Sequence, residues 1–276
     1  MYPVLFHIGP INIYMYGLMI AIGFLVTVFL IQRDARKIGV DPKLVGEMGF
    51  WTLLWGIIGA RLAHIIMYPE GYSWTDPIGW INVSRGGLVF QGAIPTALGY
   101  VYWGLKKRGM AFWPKADLAV PYVPLAQAFG RVGCFFYGCC YGRRADGLPW
   151  AVCFPAGSPA YSDHSHRYPD FASDAAWSFP VHPTQLYSVG LLFLIFGIML
   201  LFRRTRFVFV GHALPLYLML YGVKRFIVEC FRGDGNPTLL GFGLLTNQQV
   251  FSLLMLIVGV GLFLYLRARR DVAPAT

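Results

Sequence analysis

The residues that could do chemistry here are charges in apolar surroundings. Arg61, Arg131, Lys224 and Arg225 lie in or at the end of stretches that otherwise read as hydrophobic, and the chain has only three glutamates, of which Glu229 alone falls deep in such a stretch. An ionisable side chain within a membrane-spanning segment costs roughly 2.5–3.5 kcal/mol on insertion scales and is expected to face a polar interior. Cations outnumbering anions there suit an anionic ligand. In a bilayer the obvious anion is a lipid phosphate, which a guanidinium can grip with two hydrogen bonds. The same residues also admit structural roles. Arg225 and Glu229 are four apart and can pair along one helix face, and Arg61 and Lys224 can reach a headgroup region. A second unusual feature is the run Gly130-Arg131-Val132-Gly133-Cys134-Phe135-Phe136-Tyr137-Gly138-Cys139-Cys140-Tyr141-Gly142-Arg143. Its glycines allow close backbone approach, for an anion cradle or for tight helix packing.

The elements that must position these groups are membrane helices. Of 276 residues, 57% are hydrophobic and 13% charged, against about 25% charged in soluble domains, which excludes a soluble globular fold and a disordered chain. Hydropathy places seven spans at roughly 12–32, 45–68, 88–105, 116–137, 184–202, 209–231 and 247–266. The first is expected to be retained and not cleaved as a leader, since it lacks a basic flank and a small-residue cleavage site. The expected fold class is an all-α polytopic membrane protein, a single domain over 1–276, with a small extracytoplasmic cap at about 138–182. Pro95 in the third span, and Pro121 and Pro124 in the fourth, predict broken helices, which are tolerated at membrane depth beside a cavity or within protein. A polar cavity is therefore expected near both.

The net charge of +10 is explained by topology. Loops 33–43, 106–115 and 203–208 and the C-terminal tail carry fourteen Lys and Arg, and the alternate loops carry five. The positive-inside rule then puts the N-terminus outside and the C-terminus in the cytoplasm. Nucleic acid is not an expected partner. The five cysteines, 134, 139, 140, 153 and 230, form no Cys-x-x-Cys pair, which argues against a thioredoxin motif or zinc ribbon. Four of them fall on the outer, oxidising side, where a staple joining Cys153 to the glycine-rich run, plain packing, or thiol redox chemistry are the open readings.

Several short pieces, in order along nearly the whole chain, resemble bacterial prolipoprotein diacylglyceryl transferases. They are Tyr16-Gly17-Leu18-Met19, Gly59-Ala60-Arg61, Arg85-Gly86-Gly87-Leu88-Val89-Phe90-Gln91-Gly92, the Gly130–Gly142 run, His182-Pro183-Thr184-Gln185-Leu186-Tyr187, and Tyr221-Gly222-Val223-Lys224-Arg225-Phe226-Ile227-Val228-Glu229. The resemblance implies transfer of diacylglyceryl from phosphatidylglycerol to the lipobox cysteine of a preprolipoprotein signal peptide. It also implies a thioether product, release of glycerol phosphate, no cofactor or metal, and residence among the lipids of a bacterial plasma membrane. Arg131, Arg225, Glu229 and Gln91 fall at the catalytic positions it suggests. Tyr16, Arg61, Gly133, Cys134, Cys139, Gly142, Tyr221 and His182 fall at substrate-binding ones. The chain departs from the pattern at Gln91, where the family carries a histidine proposed as the base. It departs again at Cys134 and Cys139, where the family carries asparagine and glutamate. These departures leave open a paralogue that binds or moves lipid, or a membrane thiol oxidoreductase.

Overall fold

The computed structural model describes residues 4–8, 11–72, 79–80, 87, 89–172, 174–205, 208–234 and 245–270. A two-stranded antiparallel hairpin, β1 (Val4–Ile8) and β2 (Ile11–Tyr14), opens the chain. It is an addition to the all-helical expectation. Nine helices follow among the described residues: α1 (Met15–Lys37), α2 (Pro42–Met67), α3 (Phe90–Lys107), α4 (Phe112–Ala119), α5 (Val123–Tyr137), α6 (Pro159–Arg167), α7 (Thr184–Phe202), α8 (Ala213–Glu229) and α9 (Asn247–Arg270). Each of the seven expected stretches contains a helix. Four helices, α1, α2, α7 and α9, are long and apolar enough to cross a membrane. Their side chains point outward undisguised, with Leu25, Ile66, Leu201 and Ile257 all more than 60% exposed. Such apolar surface is stable against lipid and not against water.

The helix breaks differ from expectation in one of two places. α3 runs through Pro95 without interruption. The fourth stretch does break: α4 ends at Ala119, a single 3₁₀ turn spans Val120–Tyr122, and α5 restarts at Val123 with Pro124 in its first turn. Proline is tolerated in a first turn, where its missing N–H has no helical partner to lose.

The chain divides into two compact units, residues 28–115 and residues 1–27 with 116–276. In the first, α2 packs on α3 through small residues. A β-carbon on Gly59 would sit 2.5 Å from the Gly92 carbonyl oxygen, so the two backbones touch, as small residues allow between membrane helices. In the second unit the start of α1 lies on α5, where a β-carbon on Gly23 would sit 2.6 Å from Phe129 Cβ. α8 and α9 meet in the same way at Gly222, whose added carbon would lie 2.7 Å from the Ser252 carbonyl oxygen. Asp117 of α4 caps α8, accepting from the Gly211 and Ala213 amides at 2.6 and 2.9 Å. The Ala213 amide is a donor that a helix start otherwise leaves unmet.

Residues 138–182 form the compact cap. Tyr141, Phe154, Ala160 and Val181 make its core, and isolated bridges join Arg144 and Val152 to Val181 and Pro155 to Trp177. Ser158 caps α6, accepting from Tyr161 N at 3.2 Å. His164 is buried and accepts from the Phe179 amide through Nδ1 at 3.2 Å. That bond requires an unprotonated Nδ1, and burial holds the imidazole below the usual histidine range.

Candidate functional site

The glycine-rich run is a helix end followed by a turn that folds back on it. Gly138 takes a left-handed conformation, φ +79°, and its amide and that of Cys139 donate to the Cys134 carbonyl at 3.0 and 3.2 Å. This is the standard way for a helix to satisfy its last carbonyls. Cys140 then also adopts positive φ, 59°, the one non-glycine among the described residues to do so. That conformation is uncommon outside glycine, asparagine and aspartate. It persists because the turn is held from behind by two buried side chains of α7. Thr184 Oγ1 donates to the Cys140 carbonyl at 2.6 Å, and Gln185 Nε2 donates to the Cys139 carbonyl at 2.8 Å. The outcome is that the sulfur atoms of Cys134, Cys139 and Cys140 lie within 4.8 Å of one another.

Farther along, the run joins a backbone junction of three segments. The Gly142 amide donates to the His182 carbonyl at 2.9 Å, the Arg143 amide to the Phe231 carbonyl at 2.9 Å, and the His182 amide to the Arg143 carbonyl at 3.1 Å. A β-carbon on Gly142 would sit 2.5 Å from His182 Cβ, 2.6 Å from its carbonyl oxygen and 2.8 Å from the Phe231 oxygen. Only glycine fits this position. The junction ties the ends of α5 and α8 and the start of α7 together, and so brings their functional groups into one neighbourhood.

Arg131 projects from α5 among Cys134, Cys140 and Tyr221. Gly133 lets the first turn of α1 approach, since an added β-carbon there would meet Tyr16 Cδ2 at 2.9 Å and its Cα at 3.2 Å. Tyr16 accordingly neighbours Arg131 and the three cysteines. From α8, Lys224 and Arg225 are buried. Lys224 Nζ lies 5.2 Å from the centre of the Tyr221 ring, and Arg225 Nη2 pairs with Glu229 Oε2 at 3.1 Å. Thr246 Oγ1 donates to the other Glu229 oxygen at 3.3 Å. Arg232, just past α8, donates through Nε to Asp234 Oδ1 at 2.6 Å, and its Nη2 bonds the second oxygen. Arg131, Lys224, Arg225 and Arg232 all act on one another electrostatically. Four basic side chains thus interact in one neighbourhood that holds two paired carboxylates, Glu229 and Asp234, so bases outnumber acids there among the described residues.

The remaining expected site residues have the following surroundings. Arg61 belongs to the other unit, where its guanidinium donates to the carbonyls of Trp80, Gly87 and Gly79 at 2.9, 2.9 and 2.6 Å and stacks over Tyr72. Its visible work is to hold backbone. Gln91 is the second residue of α3, and its side chain lies outside the described residues. The loop containing Arg85 and Gly86 lies outside them as well. The His182 ring contacts the Tyr187 hydroxyl at 3.2 Å, and burial followed by the Arg143 charge holds it below the usual histidine range, so it is a neutral imidazole at pH 7. The described cleft, about 460 Å³, is apolar and lined by Trp150, Tyr187, Leu191, Ile227 and Phe231 with His182, a surface suited to hydrocarbon. Cys153 is a free thiol outside the cysteine cluster, so the structure contains no staple from it to the turn.

The sequence reading missed Arg232, counted only as a loop charge, and Cys140, Thr184 and Gln185. A usable signal for Arg232 was its separation of seven from Arg225, two helical turns along the same face.

A family model described as prolipoprotein diacylglyceryl transferase matches residues 3–265. A phosphatidylglycerol–prolipoprotein diacylglyceryl transferase of Clostridium tetani is 35% identical over 98% of this chain and 100% of its own length. Those of Stenotrophomonas maltophilia and Vibrio atlanticus are 31% and 32% identical, covering 97% and 94% of this chain and 92% and 88% of theirs. With its signature run, its cation cluster and its full-length relatives in agreement, the chain belongs to the prolipoprotein diacylglyceryl transferase family.

Proposed function

We propose that this protein transfers the diacylglyceryl group of phosphatidylglycerol to the lipobox cysteine thiol of a prolipoprotein. A carbon–sulfur bond forms at the glyceryl carbon, the carbon–oxygen bond to phosphate breaks, and glycerol phosphate leaves with the electron pair. The thiol proton passes to solvent. The observation that carries the reading is the gathering of three arginines, Arg131, Arg225 and Arg232, with Lys224, in a neighbourhood holding two carboxylates. The donor phosphodiester bears one negative charge. The departing phosphate monoester approaches two, because its second pKa is about 6. A cluster of fixed cations therefore binds the leaving group more tightly as the reaction proceeds, which is the condition for catalysis as opposed to mere binding.

Within this scheme Arg131 and Arg225 contact the phosphate and Glu229 orients Arg225. Tyr16 and Tyr221 hydrogen-bond the glycerol headgroup, and the apolar cleft beside Tyr187 receives an acyl chain. In this reading the seven helical stretches span the bacterial plasma membrane, with the cap and the cation cluster on the outer side and the C-terminus in the cytoplasm, an orientation that the distribution of basic loop residues supports. The preprolipoprotein signal peptide reaches the site from the bilayer.

The test uses the purified full chain in liposomes of phosphatidylglycerol with a synthetic lipobox peptide. The peptide is expected to gain one diacylglyceryl group in thioether linkage as glycerol phosphate is released in equal amount. A peptide recovered unmodified, or modified without glycerol phosphate release, refutes the assignment.

A further inference from the structure

The convergence of three thiols is left unused by the scheme above. The sulfur atoms of Cys134, Cys139 and Cys140 lie within 4.8 Å of one another. A zinc ion bound at about 2.3 Å from each sulfur needs sulfurs about 3.8 Å apart in a tetrahedral arrangement, a separation this cluster accommodates. The site is built, not incidental. The left-handed Cys140 brings in the third sulfur, and Thr184 and Gln185 fix the backbone that carries two of the three. No fourth histidine, cysteine or carboxylate joins the group among the described residues. Structural zinc sites close with four protein ligands, whereas catalytic ones supply three and leave a position for water or substrate. The charges around the cluster also fit. Three thiolates on Zn²⁺ carry one net negative charge, and a fourth thiolate makes two. Arg131 and Arg232 both act on Cys140, and Arg131 also on Cys134.

We infer that Cys134, Cys139 and Cys140 form a three-thiolate zinc site whose open fourth position receives the thiol of the acceptor peptide. The metal half of the inference stands alone, and the acceptor half rests on the transferase reading. Thiols coordinated to zinc are deprotonated outright, and the thiolate is the nucleophile. The acceptor sulfur would lose its proton to water on binding. It would then form its bond to the glyceryl carbon as the carbon–oxygen bond to phosphate breaks and the electron pair leaves with glycerol phosphate. The product thioether carries no charge, binds zinc weakly and departs. No oxidant or reductant is consumed. The arrangement supplies the thiol activation that an amide side chain such as Gln91 cannot, since a carboxamide takes up no proton at neutral pH.

The test uses the full chain in detergent micelles, reduced, stripped with a chelator and then titrated with Zn²⁺ or with Co²⁺ as a spectroscopic substitute. The expected result is one Zn²⁺ per chain and sulfur-to-cobalt charge-transfer bands that change when a lipobox peptide is added, but not when its cysteine is replaced by serine. Cys134→Ser, Cys139→Ser and Cys140→Ser each weaken Zn²⁺ binding by at least about tenfold, while Cys153→Ser and Cys230→Ser leave it intact. Failure of the wild-type chain to bind Zn²⁺ overturns the site, as does binding that survives all three serine variants. A disulfide joining two of the three cysteines in protein taken directly from cells also overturns it. Cobalt bands indifferent to the cysteine peptide overturn the open position. Stripped protein that transfers diacylglyceryl at an undiminished rate overturns the acceptor half of the inference and leaves the transferase reading intact. Protein that binds Zn²⁺ and the peptide thiol yet makes no thioether removes the transferase reading and leaves the metal site standing.

Discussion

Glu229→Gln removes one negative charge and keeps the shape of the side chain. In the folded protein Glu229 and Arg225 are 4% and 9% exposed, and their charged atoms are 3.1 Å apart. Coulomb's law at an effective dielectric of about 20 makes that attraction about 5 kcal/mol. Loss of one partner from a buried pair costs about 3–5 kcal/mol, because the other charge stays buried. Here the stranded Arg225 would also face Arg131 and Arg232 without its counterion. The single substitution is therefore expected to lower unfolding free energy by about 3–5 kcal/mol. Replacing both partners with apolar residues of similar size, Arg225→Met with Glu229→Leu, removes the stranded charge and should recover most of that loss. Transfer activity should not recover with it, since the proposed phosphate contact is gone. Denaturant unfolding in micelles and peptide modification in liposomes read the two quantities separately. A Glu229→Gln protein as stable as the parent would refute the electrostatic reasoning. A doubly apolar protein that transfers at the parent rate would refute the role given to Arg225.

Three further outcomes follow from the geometry. Arg131→Ala should lower turnover by roughly 10²–10³-fold if its guanidinium stabilises the leaving phosphate, and single-turnover product formation checks this. Gly142→Ala inserts a carbon among backbone atoms of His182 and Phe231 that cannot yield. It should cost at least about 1–3 kcal/mol and raise hydrogen exchange at both Gly142 and Arg143, with unchanged exchange speaking against the junction. His164, held below its unfolded pKa by burial, favours the folded cap fully above pH of about 6.5. That contribution falls away as pH drops through the lower folded value, because the unfolded chain then binds the proton more readily. Exchange measured over 138–182 as pH is lowered should show the cap loosening, and His164→Gln should flatten that response.

Much of this was legible in the sequence because membrane helices announce themselves by composition. The four helices long and apolar enough to cross a membrane required only counting, and the break at Pro121 and Pro124 followed from proline chemistry. Pro95 misled because a proline removes one helical hydrogen bond without preventing neighbouring turns from carrying the helix onward. Most of β2, from Asn12 onward, was read as the beginning of a span, since short apolar strands and helix starts share a composition. The cysteine cluster was hidden for a different reason. Spacing rules for metal ligands presume familiar turns, and Cys140 reaches the others only through a left-handed backbone that residue type does not foretell. Sequence alone also could not reveal that Arg61 donates to the carbonyls of Gly79, Trp80 and Gly87.

The junction of Gly142 with His182 and Phe231 has a bearing on biosynthesis. Its three strands of backbone come from points some forty to ninety residues apart, the last of them beyond α8. Contacts so distant along a chain close late, and domains emerge in order from the ribosome. While the early helices are already in the bilayer, the cations that would grip a phospholipid remain scattered between inserted and unsynthesised segments. A half-made chain is on this view inert towards the lipid surrounding it, and competence arrives in one step when the polypeptide near Gly233 closes against the turn at Tyr141.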